Sequence, residues 1–448
     1  MGQLTDSRRG GLARRHVAAV TLGNALEFYD FLTYAFFSIQ IGRAFFPNHG
    51  AYGSLMLSLA TFGSGFVTRP IGAFFIGGFS DRIGRRPAMI LSYSLMGASI
   101  IALAIVPSYS TIGVAAPVLA VCIRMIQGFS LGGEVGCNTA FLIEASSPGR
   151  RGLVVSWQGV SQYMASAAAS LVGLALTRFL APEVFETYGW RIAFLLGALT
   201  LPFGLWLRRS LPETLHTPET GPHVAHEGEA RLRTAWRCRR VIILGLIVLG
   251  AGTIGTYIFE YVATYAQATL HMRTASGFAA VLAGNVLSIG ALLLGGWLSD
   301  RLGRRPINIW GNLALLVLIY PVFLWITTTR SNLALVLGVA VLTFVANFPG
   351  GAIYATLSES LPKTIRGGGF AVVYAVSIAA LGGTTQLVVT WLIHVTGDPI
   401  APAWYLIGAT AIGQIALMLL PESAPAKTFA RTAALAGPAM PAAPGLAP

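Results

Sequence analysis

Apolar stretches long enough to span a bilayer, about 20 residues each, follow one another along this chain almost without interruption. They fall at 17–42, 54–79, 88–107, 112–140, 154–178, 189–207, 241–268, 276–298, 307–327, 333–357, 367–394 and 402–420. Backbone in lipid must satisfy its own hydrogen bonds, which leaves helices or a closed barrel. The alternating segments of a membrane barrel are missing from the pattern. The reading is an all-α membrane protein with twelve transmembrane helices. Composition agrees: 54% of residues are hydrophobic and only 10% charged, against roughly 25% charged in a soluble domain. The first span carries Glu27 and Asp30 and outruns a signal h-region, which argues against a cleavable signal.

One phrase occurs twice. Gly77-Gly-Phe-Ser-Asp81-Arg82-Ile-Gly84-Arg85-Arg86 is followed by proline, and so is Gly296-Trp-Leu-Ser-Asp300-Arg301-Leu-Gly303-Arg304-Arg305, 219 residues later. Each copy joins two apolar spans, so the chain reads as two copies of one membrane unit, the signature of a secondary transporter built from repeats. The longest polar break, 209–240, holds Pro212, Pro218 and Pro222 and ends in basic residues. The expected organisation is a terminal segment 1–16, a six-helix bundle 17–208, a linker 209–240, a second bundle 241–421, and a tail 422–448. That tail is rich in Ala and Pro and is expected to be disordered.

A formal charge of +13 invites a nucleic-acid reading, which its distribution answers. On the twelve-span reading, the termini and even-numbered loops hold 23 of the 30 Lys and Arg residues and the odd-numbered loops five. This split is the positive-inside rule, with both termini cytoplasmic. The basicity orients the chain in a membrane and needs no nucleic acid.

Polar residues inside the spans carry the candidate chemistry, because a charge near the bilayer centre costs at least about 2.5–3.5 kcal/mol. Span one places Asn24, Glu27 and Asp30 three residues apart on one helix face, with Tyr34 extending it and Tyr29 beside it. Neighbouring carboxyls in a low dielectric suit a proton carrier; capping a structural ion pair is the other reading. Span two carries Arg69-Pro70-Ile-Gly72. Span four reads Arg124-Met-Ile-Gln127-Gly128, then Gly132-Gly133-Glu134. Arg124 and Gln127 share a face, whereas Glu134 lies about 15 Å further along the axis. The arginines either take a substrate carboxylate in their forks or pair with Glu27, Asp30 or Glu134 to hold helices in register. The glycines allow close helix approach or a kink.

The second half is less charged. Tyr257, Tyr261 and Tyr265 form a stripe at helical spacing that reads as packing or as a cavity wall, and Glu260 beside it favours the wall. His394, near the outer end of span eleven, reads as a surface residue. In the repeated loops, Asp81 and Asp300 can pair with a neighbouring arginine or a helix N-terminus when the inner mouth is closed. Gly84 and Gly303 allow tight turns there. Cys122, Cys137 and Cys238 lack ligand spacing, and neither a metal site nor a cofactor is expected. Gly250-Ala-Gly252-Thr-Ile-Gly255 fits a dinucleotide pattern but lies within an apolar span without a preceding strand.

These residues resemble a known family. The two Asp-Arg-x-Gly-Arg-Arg loops look like the signature of the major facilitator superfamily. Gly23-Asn24-x-x-Glu27-x-Tyr29-Asp30-Phe31, Arg69-Pro70-x-Gly72 and Arg124-x-x-Gln127-Gly128-x-x-x-Gly132-Gly133-Glu134 look like its metabolite:proton symporter family. The resemblance covers about residues 17–421. It implies two six-helix bundles around a central cavity, rocker-type alternating access and proton-driven uptake across a bacterial inner membrane. It also implies a polar site of Asn24, Glu27, Tyr29, Asp30, Arg69, Arg124, Gln127 and Glu134. The stretch from Leu381 to Pro399, with Trp404 after it, looks most like the citrate-type branch. The osmosensing branch carries a long C-terminal coiled coil where this chain has an Ala/Pro tail.

The resulting expectation is a proton symporter for a small organic acid, tricarboxylates first, working as a monomer. Asn24, Tyr29, Arg69, Arg124, Gln127 and Tyr257 would bind substrate, and Glu27, Asp30 and Glu134 would handle the proton. Gly77, Asp81, Arg82, Gly84 and Arg85, with Gly296, Asp300, Arg301, Gly303 and Arg304, would gate. Dicarboxylates, oxoacids, shikimate-type acids and betaine or proline are the other substrates considered, and a non-transporting sensor the other class. An enzyme would need a nucleophile–base pair or metal cluster that the scattered His and Cys do not supply.

Overall fold

The computed structural model describes residues 21–26, 28–83, 85–132, 142, 148–210, 233–234, 236–362 and 366–424. Glu27, Gly84, Glu134, Cys137, most of the expected linker and the tail beyond residue 424 lie outside them, as do the side chains of Asp81, Arg82 and Arg85.

Twelve helical spans are described. They are α1 (21–26 and 28–45, with a turn at Phe37), α2 (Gly50–Val67 continuing as Arg69–Ile83), α3 (Arg85–Ile105), α4 (Ala115–Leu131) and α5 (Arg151–Phe179). Next come α6 (Pro182–Trp206), α7 (Arg239–Ala268), α8 (Thr274–Leu302) and α9 (Arg304–Thr329). The last are α10 (Asn332–Glu359), α11 (Arg366–Ser377 continuing to Thr396) and α12 (Ala401–Leu419). Among the described residues nine helices are long and apolar enough to cross a membrane, and the shorter apolar helices Ile90–Ile105 and Ala115–Leu131 lie within α3 and α4.

These helices are apolar nearly all round yet bury only part of their surface. Phe74, Phe179 and Leu199 are 78%, 84% and 74% exposed, which suits a surface facing lipid rather than water. Many polar side chains, among them Asn24, Asp30, Arg124 and Glu260, are buried where helices meet.

The helix edges depart from the expected spans where local chemistry dictates. α10 is interrupted at Phe348–Pro349, where proline has no N–H to donate. α11 contains a wide turn at Ile378–Gly382 and α6 another at Phe185–Gly189. α7 begins at Arg239, so the expected linker loses its last residues to helix.

Between the halves, α5 packs along α8, and α2 meets α11. At the end carrying the second basic loop, the basic end, α5 and α8 approach so closely that a Cβ on Gly152 would lie 2.6 Å from the carbonyl oxygen of Gly296. At the far end Ser38 on α1 hydrogen-bonds Thr264 on α7 at 3.0 Å, and Phe37 packs on Phe278 at 5.4 Å between centroids. The halves therefore touch at both ends.

Candidate site at the bundle interface

α2 and α4 cross at backbone contact because glycines line the crossing. A Cβ on Gly128 would overlap the carbonyl oxygen of Gly65, one on Gly72 that of Phe129, and one on Gly132 that of Arg69. The Thr68 hydroxyl fastens the crossing by donating to the Met125 carbonyl at 2.7 Å. Of the two expectations for these glycines, close approach is the one realised.

The crossing brings the two intramembrane arginines together. The guanidinium carbons of Arg69 and Arg124 lie 4.5 and 4.8 Å from the centroid of the same Phe31 ring, so the sum of those distances, 9.3 Å, is the most that can separate them. Arg69 also lies 4.3 Å from the Phe66 ring, and Arg124 lies 4.5 Å from Tyr34 and 5.2 Å from Phe62. Cation–π attraction offsets part of the cost of burying these charges, and Arg124 is wholly buried.

Hydrogen bonding is incomplete. Arg124 Nη1 donates to Gln127 Oε1 at 2.6 Å. Nε and Nη2 of both arginines, and Nε2 of Gln127, have no acceptor among the described residues. Buried donors without acceptors are costly, and like charges this close repel. An anion with several oxygens removes both penalties at once, and the planar guanidinium fork matches a carboxylate.

Arg69 is within electrostatic reach of Tyr257 and Tyr374. Both tyrosines line a cavity of about 140 Å³ between the halves, together with Phe28, Gln162, Tyr163 and Asn347. Ordinary small-molecule sites measure roughly 300–1,000 Å³, so this cavity is contracted, in keeping with halves that touch at both ends.

Other expected site residues disperse. Asn24 donates to Ser161 on α5 at 2.6 Å, and Tyr29 donates to the Ala193 carbonyl on α6 at 3.1 Å. Asp30 is buried against Gly197 on α6, where a Cβ would overlap its Oδ1, and that oxygen has no hydrogen-bond partner among the described residues. Asp30 lies within electrostatic reach of Arg124 but forms no ion pair with it. The single polar face read from spacing thus splits, because α1 is enclosed and successive turns meet different helices. The ion-pair reading of Arg69 and Arg124 finds no carboxylate partner among the described residues.

The tyrosine stripe divides as well. Tyr257 contacts Phe66 at 5.4 Å between centroids and faces the cavity. Tyr261 accepts from Thr390 at 2.8 Å, and Tyr265 donates to the Pro399 carbonyl at 2.5 Å, so both serve packing against α11 and the turn after it. Glu260 is buried and accepts from Ser166 on α5. His394 is exposed, as expected, and also stacks on Tyr52 of α2 at 3.8 Å. Phe31, Phe62 and Phe66 were not singled out by sequence reasoning. Phe62 and Phe66 precede Arg69 by seven and three residues, a shared helix face that could have identified them.

The second repeated loop contacts the other half at the basic end. Asp300 accepts from the backbone N–H groups of Gly152 at 2.9 Å and Leu153 at 3.0 Å, at the start of α5 in the other half. Arg304 bridges Asp300 at 2.7 Å and Glu359 at 3.3 Å. Gly303 holds φ +105°, a conformation that strains any other residue. Gly296 abuts Gly152, and Arg301 lies over the Trp297 ring at 4.0 Å. In the first loop Gly77, Asp81, Arg82 and Arg85 are helical.

The sequence profile described as Major Facilitator Superfamily matches residues 20–385. The chain belongs to the major facilitator superfamily. Within it, the chain is 35% identical to a citrate-proton symporter of Salmonella typhi, over 90% of this chain and 93% of that protein. It is also 35% identical to a citrate-proton symporter of Klebsiella pneumoniae, over 92% of each. A proline/betaine transporter of Salmonella typhimurium is 31% identical over 92% of this chain and 84% of its own length. These relatives support a metabolite:proton symporter of this superfamily, a transporter and not an enzyme. The fold matches that of a bacterial proton:xylose symporter with a TM-score of 0.73 at 17% identity, covering 92% of this chain and 97% of that one.

Proposed function

We propose that this superfamily member imports citrate or a related tricarboxylate together with protons, by alternating access across a bacterial inner membrane. The observation that carries the substrate class is the pair of buried arginines whose Nε and Nη2 donors lack acceptors among the described residues. A polycarboxylate brings two or more charged oxygen pairs to a site with two guanidiniums. A zwitterion such as betaine or proline brings one carboxylate and a cation, which the second arginine repels. The citrate-proton symporters among the relatives support the same choice.

In this reading Arg69, Arg124 and Gln127 clamp the substrate carboxylates and Tyr257 closes the cavity over them. Asp30, buried and without an ion pair among the described residues, carries a proton near Arg124. Substrate and proton together license the swing of the halves, and opening the basic end breaks the contacts of Asp300 with α5. The basic end is cytoplasmic, the spans lie in lipid, and one chain is sufficient.

Thermal unfolding of the purified protein with citrate, tricarballylate, succinate, 2-oxoglutarate, shikimate, proline and betaine tests the substrate class, since a ligand of the folded state raises its melting point. A rise with tricarboxylates, and citrate accumulation in proteoliposomes under an inwardly directed proton gradient, is the expected result. A rise with proline or betaine alone overturns it.

A further inference from the structure

Asp30 and Glu260 are the two acids among the described residues that are buried and take part in no ion pair there. They stand on the first helix of each half, α1 and α7. The proposed mechanism uses Asp30 and leaves Glu260 without a role.

Glu260 faces across the interface. Ser166, near the middle of α5 in the opposite half, donates its hydroxyl to both carboxylate oxygens, at 2.8 and 2.9 Å. Asn285 on α8 donates to the same hydroxyl oxygen at 2.6 Å, which orients the Ser166 proton toward the acid. The titratable groups facing Glu260 are the phenols of Tyr163 on α5 and Tyr257 on its own helix. From α8 it meets only the neutral Asn285–Ser166 pair, and no cation lies within ion-pair distance among the described residues. Among the described residues, Glu260 therefore has a hydroxyl and not a cation as its partner. Both phenols line the central cavity, so the carboxyl lies one side chain behind the substrate space.

We infer that Glu260 is a second proton-binding site, at which protonation is coupled to the contact between the two halves. The inference rests on the symporter reading above. Ionised, the carboxylate holds Ser166 by a hydrogen bond to a charged acceptor, roughly twice as strong as a neutral one. A proton arriving on Glu260 turns that bond into a neutral one and loosens α5 from α7. By reciprocity, a movement that withdraws Ser166 changes the proton affinity of Glu260 by the same factor. The substrate is not ligated there, so the site acts on coupling rather than on recognition.

The test uses the full chain in proteoliposomes with Glu260→Gln, which keeps the shape and removes the titration. Expected are a citrate-induced melting shift and citrate counterflow like the parent's, with loss of accumulation driven by the proton gradient. Gradient-driven accumulation equal to the parent's overturns the inference. If Glu260→Gln fails to fold, Ser166→Ala decides the matter. That variant keeps the acid, so the inference expects the pH profile of counterflow to move while citrate binding at saturating proton concentration stays unchanged. An unmoved profile overturns it. Failure of the parent itself to accumulate citrate under a gradient would instead count against the symporter reading, so the two failures are distinguishable.

Discussion

At the residue scale, the proposed chemistry rests on two arginines within 9.3 Å of each other, both buried and both short of acceptors among the described residues. Among the described residues neither forms an ion pair with a carboxylate. Arg69→Ala leaves a smaller neutral side chain among Phe31 and Phe66 and removes one fork. The expected loss is about 2–5 kcal/mol of citrate binding, the usual cost of truncating one partner of a buried charge pair, read as disappearance of the citrate-induced melting shift. Arg124→Lys keeps the charge but not the fork and loses the geometry of the Gln127 bond, so weakened binding is expected there too. Unchanged shifts in both variants would remove the arginines from the site. Spacing alone made both arginines candidates, because a charged residue inside an apolar span needs a reason. It did not reveal the Phe31–Phe62–Phe66 cage, since a phenylalanine in a membrane span carries no signal of its own.

Glycines decide the behaviour of the elements. Gly65, Gly72, Gly128 and Gly132 let α2 and α4 touch backbone to backbone, and that contact is what aligns Arg69 with Arg124. Gly128→Ala would set a methyl against a carbonyl oxygen that has no flexible side chain to yield. Overpacking of this kind costs about 1–3 kcal/mol. The expected outcome is a lower melting point with weakened citrate binding, and an unchanged melting point would contradict the close crossing. At the basic end, Asp300 caps the first turn of α5 and also bridges Arg304. Asp300→Asn removes the charge from both contacts. It should shift the population toward molecules open at that end, read as faster thiol labelling of a cysteine placed at buried Ser156 in a chain lacking its native cysteines. Labelling no faster than with Asp300 present would show that the cap does not hold the mouth. The repeated phrase made this loop legible, whereas its partner on α5, 148 residues away in the chain, carried no matching signal.

At the scale of the whole molecule, two halves touch at both ends around a small cavity. Their interface also carries polar pairs in its middle, with Gln162 donating to Tyr374 at 3.0 Å and Tyr163 to Asn347 at 2.6 Å. Alternating access requires one end to part while the other holds, and hydrogen bonds of this kind are weak enough to exchange. Basic loops concentrated on one side lead to a topological prediction. A reporter fused after residue 448 should be active only in its cytoplasmic form, and periplasmic activity would reverse the assigned orientation.

Taken by itself, the sequence determined the class, the helix count and the repeat, because a bilayer demands long apolar helices and tolerates charge only for cause. It also marked Arg69, Arg124, Asp30 and Asp300 as residues with a reason to be where they are. Tertiary structure alone decided which of these meet. Helical spacing reports which residues share a face but not what that face meets, so Asn24 and Tyr29 turned out to address α5 and α6 rather than the arginines. For the same reason Glu260 acquired a role only once Ser166, from the opposite half of the chain, was seen to reach it.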